Sequence, residues 1–266
     1  MTTPVALTIA GSDCSGGAGI QADLKTFAAF GVYGASVVTA LTAQNTQGVT
    51  GIHEVPAEFV TAQIEAVFSD LAVDAVKVGM VARPSTIQAI ADALKRWTPK
   101  HVVVDPVMVA TSGDRLLADD AVGTLRQELI PLASLITPNL PEAAALLDEE
   151  IATSEAAIER QGERLLALGC QAVLIKGGHG QGPESIDYLF DGARTLVLAA
   201  PRIATRNTHG TGCSLSSAIA AGLARAEDLE TAVRTAKIWI ETAIANADRF
   251  SVGHGHGPIH HFHRFY

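Results

Sequence analysis

The chain has 266 residues, of which 48% are hydrophobic, and its formal net charge is −9 at neutral pH. This length and composition allow a large buried core, and we expect residues 1–266 to form a single α/β domain. Because the chain is acidic and has no basic run, nucleic acids and anionic membrane surfaces are not expected partners. No apolar run approaches the roughly 18 residues that would suggest a membrane span.

The three cysteines, Cys14, Cys170 and Cys213, form no Cys-x-x-Cys pair. Their spacing favours free thiols in a reducing compartment. No basic segment precedes the first apolar stretch, so we expect no signal peptide. Together these features predict a cytoplasmic protein.

Short β-branched runs alternate with longer helical patterns along the chain. The predicted strands are residues 5–10, 35–42, 73–78, 101–104, 134–137 and 172–176, followed by a hairpin of residues 186–190 and 195–198 about Asp191-Gly192. The predicted helices are residues 18–30, 57–71, 84–97, 118–129, 140–147, 154–168, 211–224 and 228–247. This alternation predicts a central, mostly parallel sheet with helices on both faces, a three-layer α/β/α fold.

In such a sheet, a ligand binds beyond the carboxyl ends of the strands. Polar or glycine-rich segments follow the predicted strands at residues 11–13, 42–45, 79–80, 105–108, 138–139 and 176–178. We therefore expect these segments to surround the functional site.

The most informative segment is Asn207-Thr208-His209-Gly210-Thr211-Gly212-Cys213, which directly precedes a run of small residues. Glycines let backbone N–H groups approach a ligand closely, and a helix starting near Thr211 adds unpaired N–H groups and a positive dipole end. This combination predicts an anion site, for phosphate above all. Cys213 falls in the same first turn, where a thiol tends to acidify, so we expect a lowered pKa and a role as proton acceptor.

Two carboxylates and one lysine follow other strands. Asp105 ends an apolar strand, and Glu142 lies in the first turn of a predicted helix. They could share Mg²⁺, directly or through water, or serve only structural roles. Lys176, which precedes Gly177-Gly178, is suited to neutralising phosphate. The same position is also typical of a solvated lysine at a strand end with no functional role.

Other features are less specific. The glycine-rich turn around Gly17 lacks the Gly-x-Gly-x-x-Gly fingerprint, so a dinucleotide site is weakly supported. Gln44 and Asn45 follow a predicted strand, and a side-chain amide suits a heteroaromatic base, although both could be ordinary loop residues. The histidines near the end of the chain resemble a metal cluster but have no fixed helical spacing, and we favour a structural role for His254, His256, His260, His261 and His263.

Several segments spread over nearly the whole chain are jointly specific. They are residues 10–23, 39–45, 77–80, 105–108, 137–142, 176–179 and 207–213, together with the histidine-rich end. Together they resemble the ribokinase-like superfamily of small-molecule kinases, and within it the hydroxymethylpyrimidine/phosphomethylpyrimidine kinases of bacterial thiamine biosynthesis.

The resemblance implies transfer of the ATP γ-phosphate to 4-amino-5-hydroxymethyl-2-methylpyrimidine and then to its monophosphate, in a homodimeric enzyme that uses Mg²⁺. It implies that Asp105 and Glu142 organise the metal, and that Lys176, Asn139 and Thr211 contact ATP. It also implies an anion hole and catalytic group formed by Gly210, Thr211, Gly212 and Cys213. The residues expected around the pyrimidine are Gln44, Asp23, Gly11, Ala18, Met80 and Val107.

The nearest alternative is a pyridoxal kinase of the type that also has cysteine at the position of Cys213. Such relatives tend to carry a second cysteine soon after the Asp-Pro-Val-Met-Val segment, where this chain has Ala110. A catalytically silent ligand-binding module is a second alternative, and the presence of Asp105, Glu142, Lys176 and Cys213 argues against it.

Overall fold

The computed structural model describes residues 3–109, 113, 116–118, 120–178 and 182–266. Within these residues, nine strands form one sheet in the spatial order β3-β2-β1-β4-β5-β6-β7-β8-β9. The strands are β1 (Val5–Asp13), β2 (Tyr33–Asn45), β3 (Gly48–Glu54), β4 (Ala75–Val78), β5 (Val102–Val104), β6 (Leu135–Ile136), β7 (Val173–Ile175), β8 (Glu184–Phe190) and β9 (Thr195–Pro201). The six central strands, in the order β2-β1-β4-β5-β6-β7, run parallel to one another. β3, at one edge, is antiparallel to β2, and at the other edge β8 is antiparallel to both β7 and β9.

Helices connect these strands. The α-helices are α1 (Gly19–Ala29), α2 (Ala57–Phe68), α3 (Pro84–Trp97), α4 (Ala121–Thr124), α5 (Leu140–Leu147), α6 (Glu155–Leu166), α7 (Thr211–Ala224) and α8 (Leu229–Ala245). No helix in the described part of the chain is long and apolar enough to cross a membrane.

The core lies in two layers, one on each face of the sheet. Successive strand residues point to opposite faces of the sheet. Val102 and Val104 therefore pack in the layer between the sheet and α2 to α6, whereas Val103 packs in the layer between the sheet and α1, α7 and α8. Both layers are closed by fully buried side chains, such as Ile90 of α3 on one face and Trp239 of α8 on the other. The predicted three-layer α/β/α fold with a mostly parallel sheet is confirmed.

Helix starts are set by local signals in the sequence. Pro84 occupies the first turn of α3, and the Asn139 side chain accepts the Glu142 N–H at the start of α5 while Glu142 accepts the Asn139 N–H, which is a complete capping box. The bounds predicted for α3, α5 and α7 match those of the structure.

The first two strands are longer than predicted, and one strand was missed. β1 continues through Gly11 to Asp13, with a register shift between Ala10 and Ser12, and β2 continues to Asn45 before turning into β3. β3 is an edge strand whose residues are mostly exposed, so it lacks the alternation of apolar and polar residues that marks a half-buried strand.

The helix predicted for residues 118–129 is different in the structure. It begins at Ala121, adopts π-helical hydrogen bonding over Leu125–Leu129, and passes into a short 3₁₀ turn, Ile130–Leu132, that contains Pro131. Proline removes a backbone N–H, which is consistent with a regular helix ending there. Ala110, and His179 at the end of the segment 176–179, lie outside the described residues.

Candidate active site

The predicted ligand-binding segments converge at the carboxyl ends of the parallel strands. Asp105 follows β5, Asn139 follows β6 and precedes α5, and Lys176 follows β7, where it pairs with Asn139 through an isolated bridge. The first turn of α7 closes this group, because a Cβ added at Gly212 would lie 3.3 Å from the Lys176 Nζ. Four distant parts of the chain therefore meet around one ammonium group.

The predicted anion loop does begin a helix. Gly210 is the N-cap of α7 with φ of 80°, a left-handed conformation that favours glycine, and Thr211 is the first helical residue. The Thr211 hydroxyl donates to the Thr208 carbonyl oxygen at 2.7 Å, which fixes the turn before the helix. The first N–H groups of α7, next to Lys176, provide a site suited to phosphate.

Lys176 lies between the two predicted metal-binding carboxylates. Its Nζ is 2.8 Å from Asp105 Oδ1 and 4.0 Å from Glu142 Oε2. Asp105 also accepts hydrogen bonds from the hydroxyls of Thr137, at 2.9 Å, and Ser216, at 3.3 Å. The carboxylate of Asp105 is thus oriented from three sides.

The three charged groups of this cluster shift one another's pKa values. Burial raises the pKa of Glu142 to about 7, and nearby Asp105 adds to the shift while Lys176 opposes it. Burial would also raise the pKa of Asp105, but Lys176 and Lys77 outweigh burial and hold it below its ordinary value. For Lys176 itself, the carboxylates of Asp105 and Glu142 outweigh burial and raise its pKa, so it stays protonated.

The donor set at this cluster fits a divalent cation. When both carboxylates are ionised, Asp105 and Glu142 carry two negative charges against the single positive charge of Lys176. Carboxylate oxygens are the ligands that Mg²⁺ prefers, usually with several waters. Asn139 and Glu142 also form the capping box of α5, so both residues have a structural role beside any role toward a ligand.

The residues expected around the pyrimidine lie at or just beyond the carboxyl ends of β1, β4 and β5 and at the start of α1. A Cβ added at Gly11 would lie 2.9 Å from the Met80 Sδ, so these two residues face each other closely. Ala18 is the N-cap of α1, and its N–H donates to the Asp13 carboxylate at 2.9 Å. Val107 follows Asp105, with its N–H donating to the Asp105 carbonyl oxygen at 2.8 Å.

Gln44 lies inside β2, not after a strand as the sequence predicted. It pairs with Val49 of β3, and its side-chain oxygen accepts from the Thr42 hydroxyl at 3.1 Å. Its backbone N–H and carbonyl both contact the Cys14 Sγ, at 3.3 Å and 3.1 Å. The residue is half-buried on a hairpin and keeps its side-chain N–H groups available to a ligand at this end of the sheet.

Asp23 forms a buried ion pair that the sequence did not suggest. Its carboxylate lies 2.9 Å from the Lys77 Nζ and accepts from the hydroxyls of Thr8, at 2.6 Å, and Ser217, at 2.7 Å. Asp23 and Lys77 have no exposed surface. A lysine within the apolar strand Ala75–Val78 is a signal that could have revealed the pair. Contact between Asp23 and the pyrimidine stays a prediction.

The expected acidification of Cys213 is wrong. Burial raises the pKa of its thiol to about 11, against the lowering effect of Lys77, and the carboxylates of Asp23 and Asp105 add to the rise. The loss of hydration and the neighbouring negative charges therefore outweigh the positive charge of Lys77. The thiol is neutral at pH 7 in this state of the protein and can act there as a hydrogen-bonding group.

A second buried pair, also missed, joins the anion loop to the first strand. The His209 Nε2 lies 2.8 Å from Asp13 Oδ2. The Asp13 carboxylate also accepts the backbone N–H groups of Ser15, Gly17 and Ala18, at 2.8, 3.0 and 2.9 Å. Burial would raise the pKa of Asp13, but the hydrogen bonds from His209 and Ser15 outweigh burial and hold it below its ordinary value.

Three of the histidines near the end of the chain pack against other residues. His261 Nε2 lies 2.9 Å from the Ser214 hydroxyl, next to Cys213 on α7. The rings of His261 and His263 lie near Trp239, and His260 lies 4.2 Å from Phe250 between ring centroids. In the described part of the chain, no group of three or more His, Cys, Asp or Glu side chains could hold a metal ion.

The fold has three layers, with a mostly parallel sheet between helices. An anion loop at the start of a helix and a lysine among carboxylates lie together at the carboxyl ends of its strands. These features define a small-molecule kinase with a ribokinase-like fold. The sequence model of the phosphomethylpyrimidine kinase family matches residues 13–260. The chain belongs to this family.

Similarity to individual proteins supports the same family. A hydroxymethylpyrimidine/phosphomethylpyrimidine kinase of Rhizobium meliloti is 60% identical over 99% of both chains. The crystal structure of a phosphomethylpyrimidine kinase of Clostridium difficile is similar with a TM-score of 0.81 and 47% identity, over 90% of this chain and 99% of that one. An ADP complex of Bacillus subtilis pyridoxal kinase is similar with a TM-score of 0.92 and 36% identity over both complete chains. The higher sequence identities are thus with pyrimidine kinases.

Proposed function

We propose that the chain transfers the γ-phosphate of ATP to the hydroxymethyl group of 4-amino-5-hydroxymethyl-2-methylpyrimidine, and then a second phosphate to the resulting monophosphate. The observation that carries this proposal is the 60% identity to a hydroxymethylpyrimidine/phosphomethylpyrimidine kinase over 99% of both chains. The convergence of Lys176, Asp105 and Glu142 beside the first turn of α7 supports it, because phosphoryl transfer depends mainly on alignment and charge neutralisation.

In the transfer step, the substrate hydroxyl oxygen forms a bond to the γ-phosphorus, and the bond from that phosphorus to the bridging oxygen of ADP breaks. The N–H groups of Gly212 and Cys213, with the Lys176 ammonium, would stabilise the charge that builds up on the phosphoryl oxygens. Thr211 and Asn139 would contact ATP. The hydroxyl proton must leave as the new bond forms. Cys213 is the group we assign to contact it, as a hydrogen-bond partner while its thiol is neutral and as the proton acceptor once the thiol has given its own proton to solvent.

Asp105 and Glu142 would hold Mg²⁺, with water completing its coordination. When bound, the ion neutralises phosphate charge. Because Glu142 has a pKa of about 7, a nearby cation would favour its ionised form. Asp105 is kept ionised and oriented by Lys176 and Thr137.

Gln44 would hydrogen-bond the pyrimidine through its amide, while Gly11, Ala18, Met80 and Val107 would line its ring. The Met80 side chain packs directly against Gly11, which supports placing both residues at the same side of the ring. Asp23 would lie near the ring, held in place by its ion pair with Lys77.

We further propose that the chain acts as one kinase domain over residues 1–266, in a cytoplasmic homodimer. Two large apolar side chains exposed on the same face of that edge of the sheet, Leu41 of β2 and Phe59 of α2, support a partner surface there.

The decisive experiment measures ADP release by the purified protein with hydroxymethylpyrimidine, its monophosphate or pyridoxal as acceptor, at matched concentrations. We expect turnover of both pyrimidines, with a kcat/KM that exceeds that for pyridoxal. A higher kcat/KM for pyridoxal would instead establish the pyridoxal kinase alternative. Absence of turnover with every acceptor would point to a silent binding module.

A further inference from the structure

The segment Gly253-His254-Gly255-His256-Gly257 has glycine at every second position, and the proposed chemistry does not use it. A Cβ added at Gly253 would lie 2.2 Å from the Thr46 hydroxyl oxygen, one at Gly255 would lie 1.9 Å from the Thr46 carbonyl oxygen, and one at Gly257 would lie 2.3 Å from Asn207 Oδ1. His254 and His256, between them, are exposed. The alternation thus turns one side-chain-free face toward two other parts of the chain.

The first of these parts is the turn between β2 and β3, two residues beyond Gln44. The Gly255 N–H donates to the Thr46 hydroxyl at 3.1 Å, and the His256 N–H donates to the Thr46 carbonyl oxygen at 2.8 Å. The segment is therefore bonded to the hairpin that carries the proposed pyrimidine-binding amide.

The second part is the loop that leads into α7. The Gly257 N–H donates to Asn207 Oδ1 at 3.1 Å, and the His209 N–H donates to the Gly257 carbonyl oxygen at 3.0 Å. His209 directly precedes Gly210, the N-cap of α7, and its side chain pairs with Asp13. The segment is therefore also bonded to the proposed phosphate-binding loop.

We propose that residues 253–257 form a positioning strap that fixes the distance between the pyrimidine-binding hairpin and the phosphate-binding loop, so that a displacement at either end is transmitted to the other. This proposal rests on the proposed function for the identity of the two substrates. Such a strap would matter for phosphoryl transfer, because the acceptor hydroxyl and the γ-phosphorus must be brought into line.

The test uses Gly255→Ala, whose added methyl group displaces only the hairpin end, and Gly257→Ala, whose methyl group displaces only the loop end. His254→Ala, at an exposed position between the same contacts, is the matched control. KM for hydroxymethylpyrimidine, KM for ATP and kcat are measured for each full-length protein. Amide hydrogen exchange of the ligand-free proteins is followed over residues 44–50 and 207–213.

We expect effects that cross the strap. Gly255→Ala should raise KM for ATP at least about fivefold and speed exchange in residues 207–213, and Gly257→Ala should do the same for the pyrimidine and residues 44–50, since couplings between sites commonly begin near that size. His254→Ala should match the parent. If each variant changes only its own end, or neither end, the strap proposal is wrong.

A variant that does not fold is replaced by Thr46→Val, which removes the hydroxyl that accepts the Gly255 N–H without adding volume. The same crossed effects on KM for ATP and on exchange in residues 207–213 are expected, and their absence would overturn the strap. If the parent itself does not phosphorylate a pyrimidine, the proposed function has failed, and the crossed hydrogen exchange alone decides whether the strap exists.

Discussion

The Lys77 ammonium lies 2.9 Å from the Asp23 carboxylate, and neither side chain has any exposed surface. Two charges removed from water need each other and further hydrogen bonds to offset their lost hydration. Thr8 and Ser217 supply such bonds to Asp23, so the pair connects β1, α1, β4 and α7 directly behind the proposed site. Cys213 lies close enough for both charges to influence its thiol.

Lys77→Met should destabilise the protein by about 3–5 kcal/mol, because it leaves Asp23 charged and unpaired in the interior. The free energy of unfolding is measured in urea at pH 7. Lys95→Met is the matched control, because Lys95 pairs with Glu128 at the surface, and its substitution should lower the free energy of unfolding far less. Equal losses for the two variants would show that burial does not strengthen the dependence of Asp23 on its partner.

Gln44→Ala should raise KM for the pyrimidine and leave KM for ATP close to that of the parent. Loss of one buried hydrogen-bonding partner costs roughly 1–3 kcal/mol, or about 5- to 150-fold in KM. Gln47→Ala, on the exposed turn of the same hairpin, is the control and should behave like the parent. An unchanged KM for the pyrimidine in Gln44→Ala would remove Gln44 from the substrate site.

Alkylation of Cys213 in the ligand-free protein should be slow at neutral pH and should keep accelerating up to about pH 11, the value to which burial raises the pKa of its thiol. Iodoacetamide labelling followed by peptide mass spectrometry separates the three thiols. Cys14, which is exposed, should be labelled well before Cys213 at pH 7. A labelling rate for Cys213 that levels off below pH 8 would restore the acidified thiol that the sequence predicted.

His261 should make the protein less stable in acid. Burial, with a contribution from Lys25, lowers the pKa of His261 to about 3 from an ordinary value of 6.5. The unfolded chain therefore binds a proton below pH 6.5 that the folded protein does not. The contribution of His261 to stability is complete above that pH and is lost progressively as the pH falls towards 3.

Between about pH 7.5 and pH 5, the parent should lose about 2 kcal/mol more unfolding free energy than His261→Gln, which has no titrating group at this position. Urea unfolding of both proteins at the two pH values gives this difference. His254→Gln, at an exposed position, should lose as much as the parent. If His261→Gln also loses as much, His261 is protonated in the folded protein.

Gly17→Ala should lower both stability and kcat, because the added Cβ would lie 2.2 Å from His209 Cδ2 and would push the ring away from Asp13. The lost hydrogen bond and the overpacking together suggest about 1–3 kcal/mol. Gly123→Ala is the control, since Gly123 is exposed on α4 with open space around its Cβ position, and it should stabilise by about 0.5–1 kcal/mol. A Gly17→Ala protein as active as the parent would mean that the His209–Asp13 contact does not order the loop.

The parts of the fold predicted from the sequence are those whose signals are local. The buried parallel strands and the helices bounded by Pro84, Asn139 and Gly210 depend on residues within a few positions of each boundary. β3 was missed because an exposed edge strand carries little hydrophobic pattern, and its burial depends on one neighbour only.

The features of the site that could be predicted are likewise those that follow from residues near each strand end. Placing Asp105, Glu142 and Lys176 together follows from the rule that ligands bind at the ends of parallel strands. The predicted lowering of the Cys213 pKa was wrong, because that pKa depends on burial and on Lys77, Asp23 and Asp105, which are close to the thiol only after folding. The His209–Asp13 pair spans 196 positions in the sequence, and no local spacing announces it.

The contact between Gly17 and Gly210 limits how new kinases could be made from this one by recombination. A Cβ at Gly210 would lie 1.9 Å from the Gly17 carbonyl oxygen, and one at Gly17 would meet His209, so each loop has been shaped around the other. A chimera whose crossover falls between residues 18 and 207 takes these loops from different parents. It would keep a working junction only if the parent that supplies residue 17 and the parent that supplies residue 210 each have glycine at that position, whatever their overall sequence identity.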